Sequence, residues 1–142
     1  MAKQAEPILH GLVDLPRKEA ILLLEAGYLL AQMGKSKEAF ELFTGVSALL
    51  PHSDVPCIAL GNLFLSQGKL EQALKEHKQA LKRNPESAAA YAHMGEVLLF
   101  QKKIDEAEKA LQKAIELEPK GVSAQFAKEL INAKNLNFFD PK

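Results

Sequence analysis

A chain of 142 residues, 47% of them apolar, has the size and composition of a single domain able to bury a core. Its 18 basic and 18 acidic residues cancel, so no net field steers it toward nucleic acid or an anionic membrane surface. Apolar runs such as Ala20–Leu24 are far short of a bilayer span, Met1 to Glu6 lacks the apolar stretch of a signal peptide, and the single Cys57 can form no internal disulfide; a cytoplasmic protein without membrane insertion is expected.

In chain order, Ile8, Leu9, Leu12 and Val13 at helical spacing predict a short helix over 6–15 that stops near Pro16. Residues 17–33 read as the next helix, with Asp14 as its N-cap, Pro16 in its first turn, and Leu12, Val13 and Leu15 covering its outer edge. From Ala20 onward the chain repeats itself. Gly27, Gly61 and Gly95 stand 34 residues apart, and Ala39, Ala73, Ala107 and Pro51, Pro85, Pro119 keep the same step. A period of that length shared by unrelated residue types marks stacked supersecondary units, here residues 20–53, 54–87 and 88–121 with no insertion between copies.

Each copy reads as two helices. In the third, Tyr91, Met94, Gly95 and Leu98 share one face, Gln101–Lys103 interrupts the pattern, and Ala107, Leu111, Ala114 and Ile115 form a second amphipathic run that Pro119 ends. Gly95 with Ala107 and Ala114 offers almost no side chain, so the two helices can cross closely; Gly61, Ala73, Ala80 and Gly27, Ala39, Val46 predict the same crossing earlier. Beyond the repeats, Val122, Phe126, Leu130 and Ile131 predict a capping helix over 123–134. The tail that follows carries Phe138 and Phe139, expected to pack on the chain's own end or to form a dimer or partner contact.

At these positions the chain resembles the tetratricopeptide repeat family. The third copy carries Tyr91, Met94–Gly95, Leu98, Ala107, Leu111, Ala114 and Pro119; the second Cys57, Leu60–Gly61, Phe64, Ala73, His77, Ala80 and Pro85; the first Leu23, Ala26–Gly27, Leu30, Ala39, Phe43, Val46 and Pro51. Cys57 and Leu23 depart from a large residue, and His77 from an aromatic one. The resemblance implies an all-α, right-handed α-solenoid of three helix pairs in one domain, with a short preceding helix and a capping helix.

Chemistry beyond binding finds little support. His10, His52, His77 and His93 show no i, i+4 pairing for a metal, and neither a phosphate loop nor a nucleophile elbow is present, so no catalytic residue, metal or cofactor is expected. His77 falls on a repeat core position and is expected to be a buried, satisfied imidazole. Cys57 reads as a small buried hydrophobe, His93 and Glu96 as a spacing that permits a pair, and Glu71 with Lys75 as a solvated helix face.

In stacked helix pairs the first helices line a concave surface. Positions one turn from the packing glycine give a candidate groove of Leu24, Tyr28 and Gln32, then Ile58, Asn62 and Leu65, then Ala92, Glu96, Leu99 and Phe100. Mostly apolar with polar flanks, it suits a protein or peptide partner. Family members that clamp the C-terminal carboxylate of heat-shock chaperones use Lys, Asn and Arg at positions that match Leu24, Tyr28, Ala59, Ala89 and His93 here. Four of these five cannot make the charge-assisted contacts required, which disfavours that ligand. The repeat number and groove also resemble the small chaperones of bacterial type III secretion. The expected function is a non-catalytic protein-binding module shielding an apolar or amphipathic segment. Its rival is a self-assembling scaffold that forms a homodimer or larger oligomer through its end helices.

Overall fold

The computed structural model describes residues 17–139, which form α1 (Arg17–Gln32), α2 (Ser36–Leu49), α3 (Val55–Ser66), α4 (Leu70–Arg83), α5 (Ala88–Phe100), α6 (Ile104–Leu117) and α7 (Val122–Asn135). The short helix expected over 6–15, with the Asp14 cap and the cover of Leu12, Val13 and Leu15, lies outside the described residues. Among the described residues there is no strand, and the chain is an all-α solenoid of helix pairs.

Local chemistry fixes where each helix stops. The first helix of every pair closes by turning one residue into the left-handed region, Gly34 (φ +79), Gly68 (φ +74) and Lys102 (φ 64), so that the next amide reaches back to a carbonyl five residues earlier. The bonds are Lys35 N to Leu30 O at 2.8 Å, Lys69 N to Phe64 O at 2.9 Å and Lys103 N to Leu98 O at 2.9 Å. This is the Schellman closure, for which glycine is the least strained choice. Asn137 (φ 62) ends α7 in the same way, with Phe138 N bonded to Ala133 O at 3.0 Å. Pro51, Pro85 and Pro119 sit in the turns after the second helices, and Ser87 Oγ caps α5 by accepting from Ala90 N at 3.1 Å.

Within each pair one side chain of the second helix lies over the glycine of the first. A β-carbon on Gly27 would overlap the Phe43 ring, one on Gly61 would overlap the His77 imidazole, and one on Gly95 would come within 2.5 Å of Leu111 Cδ2. Phe43, His77 and Leu111 are all fully buried. The inner helices α3 and α5 bury residues on nearly every side, whereas α4 and α6 are amphipathic with one solvated face. α7 covers the far end, setting Phe126, Leu130 and Ile131 against the core of the third pair and pairing Lys134 with Glu108.

His77 departs from expectation. It is buried, but neither ring nitrogen has a hydrogen-bond partner among the described residues. Its ring stacks on His93 at 5.8 Å between centroids. Burial, and then the neighbouring His93, push the His77 pKa down to about 3. Glu71 and Lys75 are both exposed, and Glu71 also accepts a 2.9 Å bond from Gln101 Nε2.

Arg83 joins the first two repeats. Its Nη1 donates to the carbonyls of Ser47 at 3.3 Å, Leu50 at 3.2 Å and Ser53 at 3.1 Å. Two of these belong to the last turn of α2 and its cap, where helix carbonyls lack partners within the helix and the dipole favours a cation.

Three outcomes test this packing. Gly95→Ala should cost about 1–3 kcal/mol by overpacking, whereas Gly45→Ala, at an exposed helical site with open space around it, should gain up to about 1 kcal/mol; urea melts of the two variants should move in opposite directions. Arg83→Met should cost about 2 kcal/mol in the same assay. The third concerns pH. The unfolded chain takes up the His77 proton near pH 6.5, while the folded chain resists until about pH 3, so stability is full above about pH 6.5 and falls as the pH drops. About 2 kcal/mol should be lost between pH 7.5 and 5, and His77→Phe should remove that portion of the pH dependence.

Candidate functional site

The backbones of successive first helices come close, α1 to α3, α3 to α5 and α5 to α7, while those of the second helices α2, α4 and α6 stay apart, with Arg83 reaching across from α4 to α2. The stack therefore closes on the first-helix side and opens on the other, leaving the first helices to line the inner curve.

On that curve, candidate residues 34 apart share one environment nearest the packing glycines and differ further along. Leu24, Ile58 and Ala92 are all buried and act as packing between neighbouring helices. Leu99 is fully enclosed and belongs to the core of the third pair, whereas Leu65, its counterpart one repeat earlier, is half-buried. One turn beyond the first set, Tyr28 is 39% exposed and Asn62 and Glu96 are half-buried. A further turn on, Gln32 is exposed and Phe100 is 44% exposed. The accessible members are thus Tyr28, Gln32, Asn62, Leu65, Glu96 and Phe100.

Between α1 and α3 these residues enclose a pocket of about 290 Å³ whose wall includes Tyr28, Gln32, Asn62 and Ser66 above Phe43 and Ala59. The Tyr28 ring meets Phe43 edge-on at 5.1 Å. Burial pushes the Tyr28 phenol above its ordinary 10.0, and a side-chain hydrogen bond with Asn62 opposes that shift. Asn62 Oδ1 is screened from solvent without a partner among the described residues. That oxygen is turned into the wall, so the polar groups the pocket offers a ligand are those at its edge, Gln32 and Ser66. Ser66 was not singled out from sequence, although it lies 34 residues after Gln32 and 34 before Phe100.

At the other end, His93 lies between His77 and Phe126, with the Phe126 ring at 5.0 Å, and its Nδ1 is 3.5 Å from Glu96 Oε1. Phe126 comes from α7, so the capping helix contributes to this wall. The tail settles the place of its aromatic pair: Phe139 stands edge-on to Phe100 at 5.0 Å, and Lys102 Nζ donates to Phe139 O at 2.9 Å. Phe138 packs on Phe139 but is 66% exposed. Among the positions matching a carboxylate clamp, Leu24 and Ala59 are buried, Ala89 and His93 half-buried and Tyr28 exposed. Among the described residues no group of three or more His, Cys, Asp or Glu could hold a metal ion, and no helix is long and apolar enough to cross a membrane.

A family model described as tetratricopeptide repeat matches residues 64–128. No curated protein matches the chain. Among solved structures, the second tetratricopeptide domain of human RPAP3, in complex with the HSP70 peptide SGPTIEEVD, is 25% identical, with a TM-score of 0.66 over 80% of this chain and 94% of that one. The Yersinia enterocolitica type III secretion translocator chaperone SycD, in an alternative dimer, is 19% identical, with a TM-score of 0.72 over 84% of this chain and 94% of that one. The first such domain of Spaghetti (RPAP3), bound to the HSP90 peptide SRMEEVD, is 23% identical, with a TM-score of 0.69 over 86% and 95%. The fold is that of a protein-interaction module. The 34-residue period, the family match over residues 64–128 and the shared fold together make this chain similar to tetratricopeptide-repeat proteins.

Proposed function

We propose that the chain is a non-catalytic cytoplasmic chaperone whose concave face holds an apolar or amphipathic segment of a protein partner, shielding it from self-association. The observation that carries this reading is the pocket between α1 and α3, where the exposed Tyr28 ring, Gln32 and Ser66 stand over an apolar floor of Phe43 and Ala59. Such a site takes an apolar side chain of a peptide, with the Gln32 and Ser66 side chains at its edge to meet the peptide's polar groups. The segment is not the acidic peptide of the kind the RPAP3 domains bind, because Leu24 and Ala89 provide no cation, and Ala59 no amide, where a carboxylate clamp needs them. The likeness in fold to SycD, a type III secretion translocator chaperone, favours an aggregation-prone exported subunit as the client.

A second reading rests on a different observation. Ile21, Leu22 and Leu29 of α1, with Met33 just after it, leave an exposed apolar surface, which suits a homo-oligomeric scaffold.

A photo-crosslinking residue at Gln32, used in the source cell, separates the two. Adducts to a different protein through an apolar segment are expected; adducts only to a second copy of the chain, with a multimeric mass in light scattering, would establish the scaffold instead. Tyr28→Ala combined with Leu65→Ala should weaken capture of that client at least about tenfold, with the melting temperature lowered by less than about 10 °C. Unaltered capture would move binding off the concave face.

A further inference from the structure

The convex side carries a second cleft, of about 570 Å³, between α4 and α6 and floored by α5. Its floor is apolar, formed by Leu74, Tyr91, Met94 and Leu98. Lys78, Lys103, Lys109 and Lys113 stand round it with a single carboxylate, Glu106. The whole chain has no net charge, so this excess of cations over one hollow is local.

The repeat scaffold alone does not produce such a site, as the equivalent groove one repeat earlier makes plain. There the places of Leu74 and Leu98 are taken by Phe40 and Phe64, whose rings pack together at 5.9 Å across the floor. Lys69, the counterpart of Lys103, lies over the Phe64 ring at 6.0 Å. The counterparts of Lys78 and Lys113 are Thr44 and Gln79. What remains of that groove is lined mainly by polar side chains. Two changes therefore stand together in the later groove: Leu74 and Leu98 replace the paired rings and leave an apolar hollow beside Tyr91, where the earlier copy has Cys57, and two further lysines are added to the rim.

Lysine stems extend apolar surface while their ammonium groups stay in water. A ligand that fits must therefore bury an apolar group in the middle and place anions at the edge. The geometry points to an acidic amphipathic segment of a partner protein as the occupant of this convex cleft, with a large apolar side chain on the Leu74–Tyr91–Met94–Leu98 floor and flanking Asp or Glu side chains against the lysine rim. The site faces away from the concave pocket and shares no lining residue with it, so it stands whether or not that pocket holds a client. Charge complementarity would speed encounter and select against basic segments.

The test uses the full chain and three probes: a short fluorescein-labelled helical peptide with Leu and Phe on one face and Glu beside them, the same peptide with Lys for Glu, and vesicles of phosphatidylserine and phosphatidylcholine. In fluorescence polarisation the acidic peptide should bind at least about tenfold more tightly than its basic twin, and raising the salt from about 50 to about 300 mM should weaken it several-fold. Lys78→Glu with Lys109→Glu should lower that affinity at least about tenfold, whereas Lys120→Glu with Lys128→Glu, the same charge change elsewhere, should leave it within about twofold. Both pairs lie at exposed positions, and circular dichroism should show parental helix content. Amide shifts on adding the acidic peptide should centre on Tyr91, Met94 and Lys109. Equal loss in the two double variants, shifts centred on Tyr28 and Asn62, or lysine-dependent binding to the vesicles but not to the acidic peptide would each overturn the assignment.

Discussion

Each helix pair closes by pressing one side chain of its second helix into the space left by a glycine on its first. The three occupants, Phe43, His77 and Leu111, differ in shape and polarity, yet all are fully buried over Gly27, Gly61 and Gly95. The glycine is therefore the stricter requirement of the two. A β-carbon there would force the helices apart, whereas an occupant of different size can be met by adjustment around it. His77 is the least comfortable solution, since it brings two ring nitrogens into the core without partners and keeps them neutral. Its stacking on His93 ties this packing contact directly to the concave wall.

Close pairs, stacked in series, give the molecule two unlike faces. Because the backbones of first helices lie close to their successors and those of second helices do not, the inner surface is continuous and the outer one is furrowed. The inner surface offers Tyr28, Asn62 and Glu96 at one level and Gln32, Ser66 and Phe100 at the next, and the sequence varies these residues while holding the buried positions apolar. A repeat fold can change what it binds by altering such positions, with little consequence for how its helices pack.

The repeats were legible in the sequence because glycine, alanine and proline are constrained by geometry and recur at a fixed step. The groove was legible only in part. Counting turns from Gly27, Gly61 and Gly95 found Tyr28, Asn62 and Glu96, but the same count included Leu24, Ile58 and Ala92, which are buried between adjacent helices. A helix inside a stack has neighbours on both flanks, and periodicity along one helix cannot tell a residue facing the next helix from one facing the open curve. Phe126 in the concave wall and Phe139 against Phe100 depend on how the chain returns after α6, which no local pattern encodes. Arg83 was equally invisible: its acceptors are backbone carbonyls, which leave no trace in side-chain identity.

The reach of Arg83 also bears on how the stack comes apart. In an array where each repeat contacts only its neighbours, an end repeat can fray while the rest stays folded, to an extent set by the coupling between adjacent units. Here a side chain rooted in the last turn of α4 grips the end of α2 and the connector beyond it, so melting the first pair strands a guanidinium already committed to three acceptors. The positions equivalent to Arg83 in the first and third copies are Leu49 and Leu117, which cannot make such a clasp. The junctions are therefore held by different means: the first by the Arg83 clasp on backbone carbonyls, the second by side chains, through the His77–His93 stack and the bond from Gln101 to Glu71.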